Sequence, residues 1–146
     1  MSLEENKAII RSLIEVFNKH NVALMDDFIA PDVVINNTLR GLDSFKKFET
    51  NFIKGFPDYH ETIEDIVAER DKVWVHFKVT GMHTGEYLGL APTGKKVTYT
   101  GVGIWRIVDG KVVERKSVRD MLDFLGQLGV IEYTEKAKKL FPKDVT

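Results

Sequence analysis

Apolar residues Ile9, Ile10, Leu13, Ile14 and Phe17 recur at intervals of three and four along the start of the chain, the spacing that gathers them on one face of a helix. Glu4, Glu5, Lys7, Arg11, Glu15 and Lys19 take the other face. Ser2 stands where an N-cap belongs, and Glu5, three residues on, completes a capping box. Asn18 to Asn21 break this helix. "VALMDDFIA" then predicts a short second helix ended by Pro31, and "DVVIN" a short strand. A third amphipathic helix is predicted over Asp43 to Lys54, with Phe45, Phe48, Phe52 and Ile53, and Gly55 with "FPDYH" stops it.

After His60 the period falls to two. "KVWVHFKVTGMH" sets Val73, Val75, Phe77 and Val79 against Trp74, His76, Lys78 and Thr80, and with "HETIEDIVAER" it predicts a hairpin turning at Asp71. "VTYTGVGIWRIV" and "KVVERKSVRDM" predict a second hairpin across Asp109-Gly110, a dipeptide that accepts positive φ at little cost. The glycines of Gly101-Val102-Gly103 sit inside a strand pattern with no helix after them, which argues against a dinucleotide loop and for sheet bending or close backbone approach. Leu122 to Leu128 reads as a helical turn closed by Gly129, and "YTEKAKKLF" as a last short helix. Helices first and hairpins afterwards predict an α+β fold: a cone-shaped, curved antiparallel sheet with the N-terminal helices packed on its concave face, one domain over 1–146. The hollow between sheet and helices is the natural place for a small molecule.

Composition narrows the partners. With 43% hydrophobic and 29% charged residues the chain is of the soluble globular type. Its net charge of −1 and scattered basic residues offer no stripe for nucleic acid. There is no cysteine, hence no disulfide and no thiolate chemistry. The N-terminus lacks the pattern of a signal peptide, and no apolar run approaches the roughly 18 residues of a membrane span. A cytoplasmic protein without nucleic-acid or membrane partners is expected. His60, His76 and His83 lack the helical spacing of a zinc protease site, no Gly-x-Ser-x-Gly elbow is present, and no metal is expected.

Carboxylates remain, and Asp120 has the most unusual context. Period two along the last strand groups Val112, Glu114, Lys116, Val118 and Asp120 on one face. An aspartate there, facing an apolar hollow, would have its charged form desolvated and its pKa raised above about 3.9, which suits proton transfer at a carbon acid. Equally, Asp120 can cap the helical turn that follows.

Phe56-Pro57-Asp58, the Gly81 to Gly89 run with His83, Pro92-Thr93-Gly94, Asp109-Gly110-Lys111, Asp120 and Gln127-Leu128-Gly129 appear in an order that resembles the SnoaL-like polyketide cyclase group of the nuclear transport factor 2-like superfamily. The resemblance spans roughly Leu3 to Gly129. It implies an oligomeric cone, a homodimer or homotetramer, that needs neither metal nor organic cofactor. It also implies that Asp120 is the acid/base of an intramolecular aldol closure on a small hydrophobic carbonyl compound, with base, pocket and proximity acting together. His83, Asn37, Arg106, Trp105 and Tyr87 are the implied substrate contacts. Lys116 stands where the family often has Trp, and Ile104 where some cyclases have a polar group. Those departures keep a second expectation in play, the same cone as a non-catalytic ligand-binding or oligomerisation module. A third is an epoxide hydrolase-like activation of water.

Overall fold

The first helix forms as its pattern predicts: Ser2 Oγ accepts the Glu5 N–H at 3.0 Å, and α1 (Leu3–Asn18) buries Ile10, Leu13, Ile14 and Phe17. The computed structural model describes residues 1–140. A six-stranded sheet follows in the order β2-β1-β6-β5-β4-β3, made of β1 (Ile29–Ile35), β2 (Leu39–Arg40), β3 (His60–Glu69), β4 (Lys72–Met82), β5 (Lys96–Val108) and β6 (Lys111–Arg119). Helices α1 and α2 (Leu42–Gly55) lie against the sheet. After β6 the chain forms α3 (Met121–Leu128) and α4 (Glu135–Leu140). The end of the expected last helix, Phe141, lies outside the described residues.

Two expectations change here. The segment expected as a second helix is a 3₁₀ turn over Val22–Asp27, and the strand begins at Ile29, so Pro31 lies inside β1 instead of closing a helix. Proline is tolerated there because β2 pairs with β1 only at Val34 and Ile35, and the pairing of β1 with β6 is itself irregular between Ile29 and Val34. The β1–β6 pair is also parallel, so the sheet is not antiparallel throughout.

The concave face of the sheet carries Val73, Val75, Phe77 and Val79 from β4 and Val97, Tyr99, Trp105 and Ile107 from β5, all buried. Trp105 packs on Phe17 with ring centroids 6.1 Å apart, joining α1 to the sheet. Gly101 is required by close approach: a Cβ there would come within 2.6 Å of both the Phe77 ring and the Val118 carbonyl oxygen.

An irregularity in β6 decides what enters the cone. Ile107 pairs with Val112 while Arg106 pairs with Glu114, so Val113 is an extra residue in the ladder. Beyond it the side-chain phase reverses. Val112 is buried, yet Glu114, Lys116, Val118 and Asp120 share the outer face, and Arg115, Ser117 and Arg119 turn inward. The face expected for Asp120 is therefore the outer one, because a one-residue bulge separates it in phase from Val112.

Candidate functional site

The interior of the cone is polar at its centre. A cavity of ≈ 40 Å³, room for a few waters, is lined by Glu49 of α2, Glu61 of β3, Arg115 and Arg119 of β6, Tyr59 and Tyr99, with Phe17, Phe48, Phe52, Phe77 and Val79 as walls. A second lobe of ≈ 40 Å³ lies toward β1, lined by Ile35, Asn36, Leu39, Phe45 and Ser117. The two lobes share Phe48, Arg115 and Arg119.

Each polar group is fixed by its element. Asn18, at the end of α1, holds the start of β3 in both directions: its Oδ1 accepts the Glu61 N–H at 2.7 Å and its Nδ2 donates to the Glu61 carbonyl at 2.9 Å. Glu61 is thereby anchored by its backbone with its side chain free for the cavity. Arg115 lies over Trp105 at 4.9 Å and near Phe45 at 5.6 Å, and Arg119 over Phe48 at 5.3 Å, so both guanidiniums are packed against aromatic faces.

Burial sets the protonation of the two acids. It pushes the Glu61 carboxyl up to about 7, against the pull of Arg115 and with repulsion from Glu49 adding to the rise. Burial raises Glu49 too, opposed by Arg115, Tyr59, Arg119 and His20. The Tyr59 hydroxyl lies 2.8 Å from the Phe17 carbonyl, to which it donates, and 3.2 Å from Glu49 Oε2, the longer of its two acceptor contacts. Two carboxyls, both shifted upward by burial, in a cavity with two arginines are an arrangement suited to moving a proton.

The residues singled out from sequence are placed as follows. Asp120 is exposed and caps α3, its Oδ1 accepting the Asp123 N–H at 3.0 Å. His83 is fully buried, stacked on Phe56 at 5.1 Å, with its Nδ1 accepting the Thr93 N–H at 3.2 Å. Tyr87 makes edge-to-face contacts with Phe52, Phe56 and Phe124. Arg106 lies between Asp71, 4.0 Å away, and Glu114, 3.8 Å away. Trp105 is the floor beneath Arg115. Asn37 is exposed at φ 63°, while its neighbour Asn36 lines the β1-side lobe and accepts the Ser117 N–H at 2.7 Å. Lys116 is exposed on the outer face. Of this set, none lines the β3-side lobe.

The sequence motifs have structural work of their own. Asp58 accepts the Met82 N–H at 2.8 Å, His83 holds the Pro92-Thr93-Gly94 loop through Thr93, and Gln127 exchanges bonds of 2.8 and 2.7 Å with Thr98 at the start of β5. Asp109 and Gly110 both take positive φ in the β5–β6 turn.

The family model described as SnoaL-like polyketide cyclase matches residues 7–128. Aklanonic acid methyl ester cyclase AcmA of Streptomyces galilaeus is 26% identical over 134 residues, covering 87% of this chain and 92% of that protein. Among solved structures, AclR of Streptomyces galilaeus, named as a candidate hydroxylase, superposes with a TM-score of 0.82 at 32% identity, over 90% of this chain and 100% of the other. IdmH of Streptomyces antibioticus, named as a candidate polyketide cyclase, does so with 0.76 at 29% identity, over 85% and 98%.

Proposed function

Since the chain belongs to the SnoaL-like polyketide cyclase family, we propose that it closes a ring within a polyketide-derived carbonyl ester by proton transfer inside the cone, with Glu61 as the base. The observation that carries this reading is the place of Glu61, pushed up to about 7 by burial, in an aromatic-walled cavity that Arg115 and Arg119 also line.

The chemistry balances without an added reagent. Ionised Glu61 takes a proton from the carbon alpha to a carbonyl, leaving an enolate. The enolate carbon attacks a second carbonyl of the same molecule, a C–C bond forms, and the new alkoxide takes the proton back from Glu61. Product and substrate have equal mass. A polycyclic ester far exceeds a space of ≈ 40 Å³, so the two lobes, which share Phe48, Arg115 and Arg119, must open to admit it.

Asp120 is the second reading, favoured by its place. It directly follows Arg119, stands at the position the family resemblance marks, and is exposed, so its carboxylate can leave the α3 cap for a substrate at the rim. In either reading the protein, incubated with the methyl ester named for AcmA, is expected to produce an isomer of unchanged mass in chromatography coupled to mass spectrometry. Tight binding without any isomer would replace the cyclase reading with that of a ligand-binding module.

The outer sheet face leaves Trp74, Val67 and Val118 at 47%, 54% and 73% exposure. We place a homodimer or homotetramer contact there. Light scattering showing a monomer at working concentration would contradict it.

A further inference from the structure

We propose that the β1-side lobe is an oxyanion site, in which Arg115 and Ser117, flanked by Arg119, hold a negatively charged oxygen of the substrate, the enolate or phenolate of a conjugated aromatic ketone. This deepens the cyclase reading by naming what its pocket must recognise, and it stands on three observations.

The first is an orphaned pair of polar atoms. Arg115 Nε and Ser117 Oγ are buried, and neither has a hydrogen-bond partner among the described residues. A buried donor without an acceptor costs about 1–3 kcal/mol, more when charged, so a site that leaves two of them side by side on one strand is built for something that arrives later. Both belong to side chains lining the same lobe, and Arg119 lines it too.

The second is charge. No carboxylate lies within 4.0 Å of Arg115 or Arg119 among the described residues. Burial shifts both Glu49 and Glu61 upward, which weakens the negative charge that faces the two guanidiniums. A lobe with this surplus accepts an anion and resists a second cation.

The third is shape. Phe45, Phe48, Ile35 and Leu39 give the lobe an apolar wall, so the charge must arrive on a flat, largely apolar molecule. A strongly hydrated inorganic anion would leave those walls unpaired. An aromatic enolate or phenolate meets both demands, and it is also the species that an alpha-proton abstraction creates, so the site would stabilise charge as it develops.

4-Nitrophenol tests this without turnover, because its phenolate is yellow and its phenol colourless. On binding, the O–H bond breaks, the proton passes to Glu61 or to water, and the oxygen keeps the electron pair against the arginines. Titrated with the intact protein, bound 4-nitrophenol is expected to be at least roughly tenfold more ionised than the free molecule at the same pH. Ser117→Ala should reduce that factor several-fold, and Arg115→Met should abolish it. If Arg115→Met fails to fold, Arg119→Met and Ser117→Ala carry the test, each checked by its melting curve. Bound probe that is no more ionised than free probe, or equally ionised in every folded variant, would overturn the oxyanion site. Loss of ring closure with an intact nitrophenolate shift would instead overturn the cyclase reading and leave the oxyanion site standing.

Discussion

Replacing Glu61 with Gln is expected to lower the kcat of ring closure by roughly a hundred- to ten-thousandfold, the range in which a positioned general base contributes. The amide keeps the size of the side chain, and the backbone bonds to Asn18 are untouched, so the fold and KM should change little. Asp120→Asn is the matched comparison, since Asn caps a helix about as well as Asp and α3 therefore survives. With Glu61 as the base, Asp120→Asn retains most of the activity. The reverse pattern, an inactive Asp120→Asn with an active Glu61→Gln, assigns the proton to Asp120 and makes Glu61 a structural acid.

A second large effect is on stability against pH. Glu61 titrates at about 7 in the folded protein against 4.5 for an ordinary glutamate. A carboxyl with a raised folded pKa holds its proton more tightly when folded. Its favourable contribution is therefore fully present below the ordinary value and is lost as pH rises through about 7. At about 1.4 kcal/mol per pH unit the limit is about 3.5 kcal/mol, and the partial exposure of Glu61 puts the expected loss at roughly 1–3 kcal/mol. Glu49, raised by the same burial, acts in the same direction. Urea midpoints measured across this window should fall with pH in the wild type and fall distinctly less in Glu61→Gln. Parallel slopes in the two proteins would mean that Glu61 is not held near neutrality.

The fold was readable because its signals are local. The 3.6 period of α1 and α2, the Asp109-Gly110 turn and the two-residue alternation of β4 and β5 are each written in a short stretch. The site was less so, for two physical reasons. The motifs that carry the family resemblance are staples: Asp58, His83 and Gln127 satisfy backbone groups of Met82, Thr93 and Thr98, so they report the cone and not its chemistry. The residues that enter the cone depend on the bulge at Val113, which shifts Arg115, Ser117 and Arg119 inward and Asp120 outward. A period-two reading started at Val112 cannot show that shift.

Part of the site is marked in the sequence of α2. Leu42, Phe45, Glu49 and Phe52 follow one another at spacings of three and four, so Glu49 is a charge set on the buried stripe of α2, where it is 9% exposed. A carboxylate in the apolar face of an amphipathic helix demands a partner or a proton. Glu61 had no comparable mark, since a strand that starts with "HET" reads as exposed. Only its register opposite the buried Val79 places it inside.

The dependence of kcat/KM on pH reports the free enzyme's base before substrate binds. With Glu61 in that role, a rising limb is expected with a midpoint near 7, set by Glu61 among Glu49, Tyr59, Tyr99, Arg115 and Arg119, and it should disappear in Glu61→Gln. A limb that persists unchanged in Glu61→Gln, or that vanishes only in Asp120→Asn, would contradict that role.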